Sequence, residues 1–299
     1  MIAAALDLGS NTLRLLVAEV EAGAYRDLAR GLATPRLGRG LTPGGTLDPG
    51  AKQAARQQAS AFVTQARGLG AQRIALAATQ ACRLAADGAE FVAGLGQELG
   101  LEAALVLNGE QEAALSRAGV LSRLEGPAQD ALLADVGGGS TELAALDGSW
   151  AVSLPLGAVA LTEAYLLHDP PSPAEMGALA GAVERGLEGV TGRRAARLVA
   201  TAGTAATVGA MLLGMEVYEP GRVNNLEASR GQLEQQLSRL AALPLAQRRK
   251  TPGLEPERAD IILAGMTILR GLLRVLQLDR MTVMDAGLLE GILLELAAA

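Results

Sequence analysis

Apolar and polar positions alternate along the first half of the chain in segments that predict a mixed α/β fold. The apolar run IAAALDLGS ends in a polar turn and predicts a buried strand, and LRLLVAEV and YRDLARGLA predict two more strands joined by a turn at Gly23. Residues 35–50 are rich in Gly and Pro and predict a loop, whereas residues 51–69 show polar, Ala-rich helical spacing. The strands RIALAAT and AALVLNG then alternate with a helix over 86–99 and a helix in EQEAALSRAGVLSRL.

The same order of elements begins again in the second half. ALLADVGGGS, TELAAL and WAVSLPL predict three strands, and helices are predicted at about 157–168 and 173–192. RLVATAG predicts a strand that leads into the helix TAATVGAML. Helices near 229–241 and 255–276, the strand RMTVMDAG and a last helix complete the chain.

Two similar turns indicate an internal repeat. The stretch Asp7-Leu-Gly-Ser-Asn-Thr12 is echoed by Asp135-Val-Gly-Gly-Gly-Ser140-Thr141, and each follows an apolar strand and precedes an antiparallel pair of strands. We therefore expect two related α/β halves that face one another across a cleft. The segment RLEGPAQD, at 123–130, combines Gly, Pro and charge and is the expected linker.

The expected domain division follows from this repeat. An N-terminal domain is predicted over 1–125, with the C-terminal helix 288–299 as an element that could complete it, and a second domain over 126–287.

Composition limits the classes of function. The 299 residues are 49% hydrophobic but only 2% aromatic, so a sizeable core must consist of Ala, Leu, Val and Ile. A net charge of −6 argues against a general nucleic-acid binder, and the single Cys82 excludes an intramolecular disulfide framework. The N-terminus lacks a signal-peptide pattern and no uncharged apolar run reaches about 18 residues. These features predict a cytoplasmic protein without a membrane span.

The glycine run at 137–139 is the first candidate for chemistry. Gly137, Gly138 and Gly139 remove side chains where a strand turns back, so backbone N–H groups can approach an anion, and Ser140 and Thr141 add hydroxyl groups. A tight hairpin that needs positive φ is the simpler explanation for three glycines alone. The matching loop at 7–12 favours a phosphate clamp.

A third turn has the same potential. In VATAGTAATVGAM a strand ends at Gly203 and a helix begins with Thr204, which presents the free amides of a helix N-terminus. Taken alone, this is equally well an ordinary strand-to-helix connection.

Acidic residues flank both turns. Asp7 and Asp135 occupy equivalent strand ends, and Glu142 follows Asp135 across the hairpin. Carboxylates beside a phosphate site would repel the anion unless they held a cation, and Mg²⁺ binds through few carboxylates, waters and substrate phosphates. The alternative is that these acids only cap loops or face solvent.

Further acids and arginines lie between the two turns. Glu110 and Glu112 open a helix, where acids are also expected for the helix dipole, and one of them could act as a general base toward water. Arginines that could make a cleft in an acidic protein locally positive are Arg14, Arg36, Arg39 and Arg83. A single histidine, His168, argues against Ser-His-Asp catalysis and against a histidine-ligated metal.

These motifs resemble those of the exopolyphosphatase/guanosine pentaphosphatase (Ppx/GppA) family. ALDLGSNTLRLLVAEV and LADVGGGSTELAAL are similar to its two phosphate-loop hairpins, and PRLGRGLTPGGTLDP, ATQACRLAAD, GEQEAALS, ATAGTAATVGAM, PERADIILAGMTIL and VMDAGLLEGILLE follow in the expected order. The resemblance implies two actin-like (ribonuclease-H-like) α/β domains of the acetate and sugar kinase/Hsp70/actin superfamily, with an interdomain cleft. It also implies a hydrolase that removes terminal phosphate from inorganic polyphosphate or the 5′ phosphate of pppGpp.

The resemblance also implies roles for individual residues. Glu112, which directly precedes a small residue, matches the catalytic base, and Asp135 and Glu142, with Asp7, are the expected ligands of Mg²⁺ or alternatively Mn²⁺. The expected substrate-binding residues are Ser10, Asn11, Thr12, Arg14, Arg83, Gly137, Gly138, Gly139, Ser140, Thr141, Gly203 and Thr204. A homodimer is compatible with the resemblance, whereas nucleic acid and membrane are not expected partners.

Two departures and two alternatives remain open. Val223-Asn224-Asn225 stands where relatives often carry VHG, and Leu288-Leu289-Glu290-Gly291 lacks the arginine of Leu-Arg-Glu-Gly, which leaves substrate preference open. A kinase of the same superfamily and a non-catalytic sensor of (p)ppGpp or polyphosphate are the alternatives to a hydrolase. Polyphosphate is the favoured substrate, because no guanine pocket is evident.

Overall fold

In the computed structural model, which describes residues 1–21 and 24–298, the chain divides into two compact units. One unit comprises Met1–Ser122 and Gly287–Ala299, and the other comprises Arg123–Ala286. The turn predicted at Gly23 lies outside the described residues.

The first unit contains five strands and the first four helices of the chain. Its strands are β1 (Ile2–Leu8), β2 (Leu13–Glu21), β3 (Ala24–Ala33), β4 (Arg73–Ala78) and β5 (Ala103–Val106), in the sheet order β3-β2-β1-β4-β5. Its helices are α1 (Pro49–Gly68), α2 (Gln80–Leu84), α3 (Gly88–Leu99) and α4 (Gly109–Leu121). The central strand β1 is buried along almost its whole length, which explains its continuous apolar run.

The second unit contains six strands. They are β6 (Ala131–Val136), β7 (Thr141–Ala145), β8 (Ala151–Leu154), β9 (Arg197–Thr201), β10 (Leu226–Ser229) and β11 (Arg280–Val283). Its helices are α5 (Ala158–Tyr165), α6 (Pro173–Gly186), α7 (Ala202–Leu212), α8 (Pro220–Val223), α9 (Arg230–Ala241), α10 (Leu245–Arg248) and α11 (Ile262–Val275). The chain ends with α12 (Leu288–Ala298), which belongs to the first unit.

The two sheets confirm the predicted internal repeat. The second sheet has the order β10-β11-β9-β6-β7-β8, so β8-β7-β6-β9-β11 repeats β3-β2-β1-β4-β5 and only β10 is added. The pairings also repeat: β1 and β6 each pair antiparallel with the next strand and parallel with β4 and β9, respectively. Each half is therefore a mixed sheet with helices, as the sequence predicts.

Several short elements differ from the sequence prediction. The strand β10 and the helices α2, α8 and α10 were not predicted, because four or five residues are too few to show a periodic pattern. The helix predicted from residue 255 begins at Ile262, since Pro256–Arg258 forms a 3₁₀ turn instead. The helix predicted to reach residue 192 ends at Gly186.

Helix α12 packs closely against α4 through glycines. A Cβ atom added to Gly119 would lie 1.8 Å from the carbonyl oxygen of Gly287, and one added to Gly291 would lie 2.0 Å from the carbonyl oxygen of Leu115. Glu290, which is 1% exposed, accepts a hydrogen bond at 2.7 Å from Arg30 of β3. These contacts fix the position of α4 against the sheet.

No helix within residues 1–21 and 24–298 is both long and apolar enough to cross a membrane.

Candidate active site

The β1–β2 connection forms the first candidate phosphate loop. The N–H of Gly9 donates to the carbonyl of Thr12 at 2.9 Å and closes the turn, and Ser10 and Asn11 are buried within it. The side-chain nitrogen Nδ2 of Asn11 is buried without a hydrogen-bond partner. Leaving a buried amide donor unsatisfied costs about 1–3 kcal/mol, so this donor is suited to a ligand oxygen.

The β6–β7 connection repeats this turn in the second unit. The N–H of Gly137 donates to the carbonyl of Ser140 at 2.9 Å, the same closure as in the first loop. The glycine run packs against the start of α5, because a Cβ atom on Gly157 would lie 2.2 Å from the Cα of Gly139. The turn therefore needs small residues on both sides of this contact.

Hydrogen bonds from neighbouring segments orient the peptide groups of both loops. The carbonyls of Gly137 and Gly138 accept from the N–H groups of Ala158 and Val159, at 3.0 Å and 2.7 Å. Because C=O and N–H point in opposite directions across a trans peptide, the N–H groups of Gly138 and Gly139 point away from α5. Two successive N–H groups that share one direction form the type of nest that binds anions.

The first loop shows the same orientation. The carbonyls of Ser10 and Asn11 accept from Gly38 at 2.8 Å and from Arg36 at 3.1 Å. The N–H groups of Asn11 and Thr12 consequently point away from the 36–38 segment. Each unit thus presents one amide nest at the end of its central strand.

Asp7 and Arg14 form a cross-strand ion pair beside the first loop. They are register partners on β1 and β2, and both Nε and Nη2 of Arg14 donate to Oδ2 of Asp7, at 2.9 Å and 2.6 Å. The predicted metal ligand Asp7 thus contacts the predicted substrate-binding residue Arg14. The metal role of Asp7 stays a prediction, and the ion pair gives this carboxylate a second role in orienting Arg14.

Asp135 and Glu142 occupy the equivalent positions beside the second loop. They are register partners on β6 and β7, both are buried, and Ser153 Oγ donates to Glu142 Oε1 at 2.7 Å. Direct cross-strand partners have Cβ atoms roughly 4.5–5.5 Å apart, so the two carboxylates lie on one face of the hairpin.

This carboxylate pair fits a divalent cation. Among the described residues there is no group of three or more His, Cys, Asp or Glu side chains that could enclose a metal. Two carboxylates suit Mg²⁺, which commonly binds through one or two carboxylates and takes its other ligands from water and substrate phosphates. The donor set on β6 and β7 is therefore compatible with the predicted ion.

Glu112 and Arg83 form a further candidate group in the first unit. Glu112 lies in the first turn of α4 and is 6% exposed, whereas Glu110 is exposed on the same helix. Nη1 of Arg83 donates to Glu112 Oε2 at 3.0 Å and to the carbonyl of Leu107 at 2.7 Å. The structure thus brings the predicted site residues Arg83 and Glu112 into contact. It also distinguishes the buried Glu112 from the exposed Glu110, the alternative that the residue pattern alone left open.

The β9–α7 turn carries Gly203 and Thr204. Ala202 has φ of 66°, a left-handed conformation that costs a non-glycine residue roughly 1–2 kcal/mol and that is enriched at functional sites. A Cβ atom on Gly203 would lie 1.8 Å from Nη1 of Arg258, so the Arg258 guanidinium packs directly on this turn. Arg258 is buried and ion-paired with Glu255. Its contact with Gly203 could not be read from the sequence, because the two residues are 55 positions apart.

Three further residues named in the sequence analysis, Thr141, Asn224 and Asn225, form hydrogen bonds with their side chains inside the second unit. The Thr141 hydroxyl is fully buried and donates to the carbonyl of Leu156 at 2.6 Å, so its proton is already used inside the fold. The Asn224 side chain accepts from the N–H groups of Asp285 and Ala286, and Asn225 Nδ2 donates to the carbonyl of Arg123 at 3.0 Å. The two asparagines therefore organise loops within this unit.

Comparison with known proteins assigns the chain to a family. The family model described as "Ppx/GppA phosphatase family" matches residues 16–299. The chain belongs to the Ppx/GppA phosphatase family. Exopolyphosphatase 2 of Mycobacterium tuberculosis is 31% identical over an alignment 312 positions long, which covers 98% of each chain.

Solved structures of similar proteins agree with this assignment. The crystal structure of the Aquifex aeolicus member of the Ppx/GppA family is 28% identical, has a TM-score of 0.84 and covers 100% of this chain and 98% of its own. An exopolyphosphatase from Cytophaga hutchinsonii is 20% identical with a TM-score of 0.87, covers 98% of this chain and 96% of its own, and supports the fold alone. The protein therefore has the actin-like α/β fold of the family and is a phosphatase.

Proposed function

We propose that this phosphatase is an exopolyphosphatase that releases terminal orthophosphate from inorganic polyphosphate. The observation that carries the proposal is the repeated amide nest: each unit presents successive N–H groups at the end of its central strand, at Asn11 and Thr12 and at Gly138 and Gly139. A chain of phosphates offers many anionic oxygens to such donors. The name of the M. tuberculosis relative supports polyphosphate rather than pppGpp as the substrate.

Glu112 acts as the general base in this proposal. It accepts the proton of a water molecule that attacks the terminal phosphorus, and the leaving oxygen belongs to the shortened polyphosphate. Arg83 donates to Glu112 Oε2 at 3.0 Å and is itself anchored on the carbonyl of Leu107, so it holds the carboxylate in one orientation. A positioned general base typically contributes 10²–10⁴-fold to the rate.

The loop of each unit is flanked by different charged groups. Arg14, held by Asp7, places a guanidinium beside the first loop, and Asp135 and Glu142 would hold a divalent cation beside the second. When bound, the cation would offset negative charge on the phosphoryl oxygens during transfer. The buried Nδ2 of Asn11 and the N–H groups of the loops donate to phosphate oxygens.

The direct test is orthophosphate release from long-chain polyphosphate and from pppGpp, measured in parallel with Mg²⁺. The proposal predicts faster release from polyphosphate, with product chains that shorten one phosphate at a time. Faster release from pppGpp would assign the protein to the other branch of the family. Binding of either substrate without any release would instead indicate a sensor.

A further inference from the structure

A row of polar side chains crosses the sheet of the second unit at the level of the carboxylate pair. Glu142 has Asp135 as its register partner on one side and Ser153 of β8 on the other. Asp135 in turn has Thr201 of β9 as its register partner on its second side. Register partners on neighbouring strands point their side chains to the same face of a sheet, so one hydroxyl residue flanks the carboxylate pair on each side.

The corresponding row of the first unit is apolar on both sides of its ion pair. Leu32 of β3 is the register partner of Arg14, and Ala77 of β4 is the register partner of Asp7. In that row the arginine neutralises the aspartate directly, at 2.6 Å. The hydroxyl residues therefore accompany the two carboxylates and are not a general property of the repeated hairpin.

The two hydroxyl groups of the row are used differently. The hydroxyl of Thr201, which is fully buried, donates to the carbonyl of Ala286 at 2.7 Å and so ties β9 to the segment that follows β11. The hydroxyl of Ser153 donates to Glu142 Oε1 at 2.7 Å. Of the two, Ser153 is the one whose hydroxyl bears directly on a proposed cation ligand.

The contact of Ser153 joins an exposed residue to a buried carboxylate. Ser153 lies on β8, the strand at one edge of the sheet, whereas Glu142 is only 3% exposed. A hydrogen bond to an ionised carboxylate is stronger than one between neutral groups, so it restricts the rotation of the Glu142 carboxylate. It engages Oε1 from the side of β8, opposite to the strand that carries Asp135.

We propose that Ser153 positions Glu142 to bind the cation through one oxygen, and so makes the site prefer Mg²⁺ to Ca²⁺. The inference rests on the proposed function, because it concerns the cation that Asp135 and Glu142 would hold there. Mg²⁺ demands compact octahedral geometry and keeps several waters, whereas Ca²⁺ takes more oxygen ligands and accepts a carboxylate through both of its oxygens. A hydroxyl that engages Oε1 disfavours this two-oxygen mode.

The test is a calorimetric titration of wild type, Ser153→Ala and Ser153→Thr with Mg²⁺ and with Ca²⁺, each in the presence and in the absence of orthophosphate. Ser153→Ala is expected to raise the Kd for Mg²⁺ about tenfold, as for loss of a hydrogen-bond partner of a metal ligand, and to raise the Kd for Ca²⁺ less. Ser153→Thr keeps the hydroxyl and should bind both cations like wild type. The matched control is Ser149→Ala, which removes an exposed hydroxyl from the turn between β7 and β8.

Thermal melts separate positioning from folding. Without a cation, Ser153→Ala should melt near wild type, because the residue is exposed on an edge strand. With Mg²⁺, its Tm should rise less than that of wild type, because a weaker ligand stabilises the folded state less.

Three results in the variants would overturn the inference: equal rises in Kd for the two cations, a change no larger than that of Ser149→Ala, or failure of Ser153→Thr to restore binding. A wild type that bound no Mg²⁺ in either condition would overturn it as well. Phosphate release from polyphosphate is measured separately on the same proteins. A wild type that bound Mg²⁺ with the expected dependence on Ser153 but released no phosphate would overturn the proposed function and leave this inference intact.

Discussion

Asp135 and Glu142 are direct cross-strand partners on β6 and β7, at the positions that Asp7 and Arg14 occupy on β1 and β2. Both hairpins therefore have an aspartate on the first strand. Its cross-strand partner is an arginine in the first hairpin and a glutamate in the second. Asp7 is neutralised by Arg14 at 2.6 Å, whereas like charges placed directly opposite each other in a sheet are destabilising. The second hairpin therefore places two carboxylates side by side, as the proposed cation site requires.

A change at Glu142 should show this requirement for a cation. Glu142→Gln removes one of the two buried carboxylates, so we expect the Mg²⁺ concentration for half-maximal activity to rise at least about tenfold, as for loss of one ligand of a metal site. Mg²⁺ should also raise the Tm of wild type more than that of the variant, because a ligand stabilises the state that binds it. Activity titrations and thermal melts with Mg²⁺ measure both effects.

The control for this change is Glu184→Gln. Glu184 is an exposed acid of the same unit, paired with Arg274 at 2.9 Å. An unchanged Mg²⁺ requirement in Glu142→Gln, or an equal shift in Glu184→Gln, would contradict the assignment of the cation to the β6–β7 hairpin.

The Asp7–Arg14 pair should behave differently from the Asp135–Glu142 pair. Arg14→Gln leaves the carboxylate of Asp7 buried without its guanidinium, so we expect a loss of about 3 kcal/mol in the free energy of unfolding together with a loss of activity. The double variant Asp7→Asn/Arg14→Gln should regain stability but not activity, because it removes the uncompensated charge and still lacks the arginine. Urea unfolding of the four proteins of the cycle gives the coupling energy, and strict additivity would refute the pairing.

Two glycine substitutions on helices should change stability in opposite directions. Gly119→Ala places a Cβ 1.8 Å from the carbonyl oxygen of Gly287, so α12 must move away from α4, at a cost of about 1–3 kcal/mol. Gly94→Ala in α3 meets nothing within 4 Å and should instead stabilise the helix by about 1 kcal/mol. Denaturant midpoints measure both, and a Gly119→Ala variant as stable as wild type or more stable would show that α12 does not pack as described.

The thiol of Cys82 should be inert in the folded protein. Burial, and to a lesser extent the negative charge of Asp87, raises the pKa of Cys82 to about 12, so the thiol stays protonated at pH 8. Since the thiolate is the reactive form, we expect a disulfide reagent to label Cys82 only after unfolding in denaturant. Rapid labelling of the native protein at pH 8 would contradict the buried position of this residue.

The repeated hairpins were predictable because their signals are local. An apolar strand, a glycine turn and a second strand follow one another within residues 2–21 in the first half and 131–145 in the second, and the structure confirms both. The same spacing could also have revealed that Arg14 corresponds to Glu142, since each follows its aspartate by seven positions. That comparison would have shown the difference in charge between the two hairpins.

Contacts between distant segments were not predictable in the same way. The 3.0 Å contact between Arg83 and Glu112 depends on α2, whose five residues show no helical period, and on the register of β4 with β5. The packing of Arg258 on Gly203 depends on a 3₁₀ turn that the apolar pattern of α11 conceals. Such contacts arise from tertiary packing and become visible only when the sheets are assembled.

The most direct test of the account is the rate of orthophosphate release from polyphosphate by Glu112→Gln beside Glu110→Gln. Both changes remove one carboxylate from the first turn of α4, but only Glu112 is buried against Arg83. We predict that Glu112→Gln lowers kcat by about 10²–10⁴-fold with polyphosphate binding retained, and that Glu110→Gln stays near wild type. Equal activities of the two variants, or a loss in Glu110→Gln alone, would contradict the proposed role of Glu112 as the base.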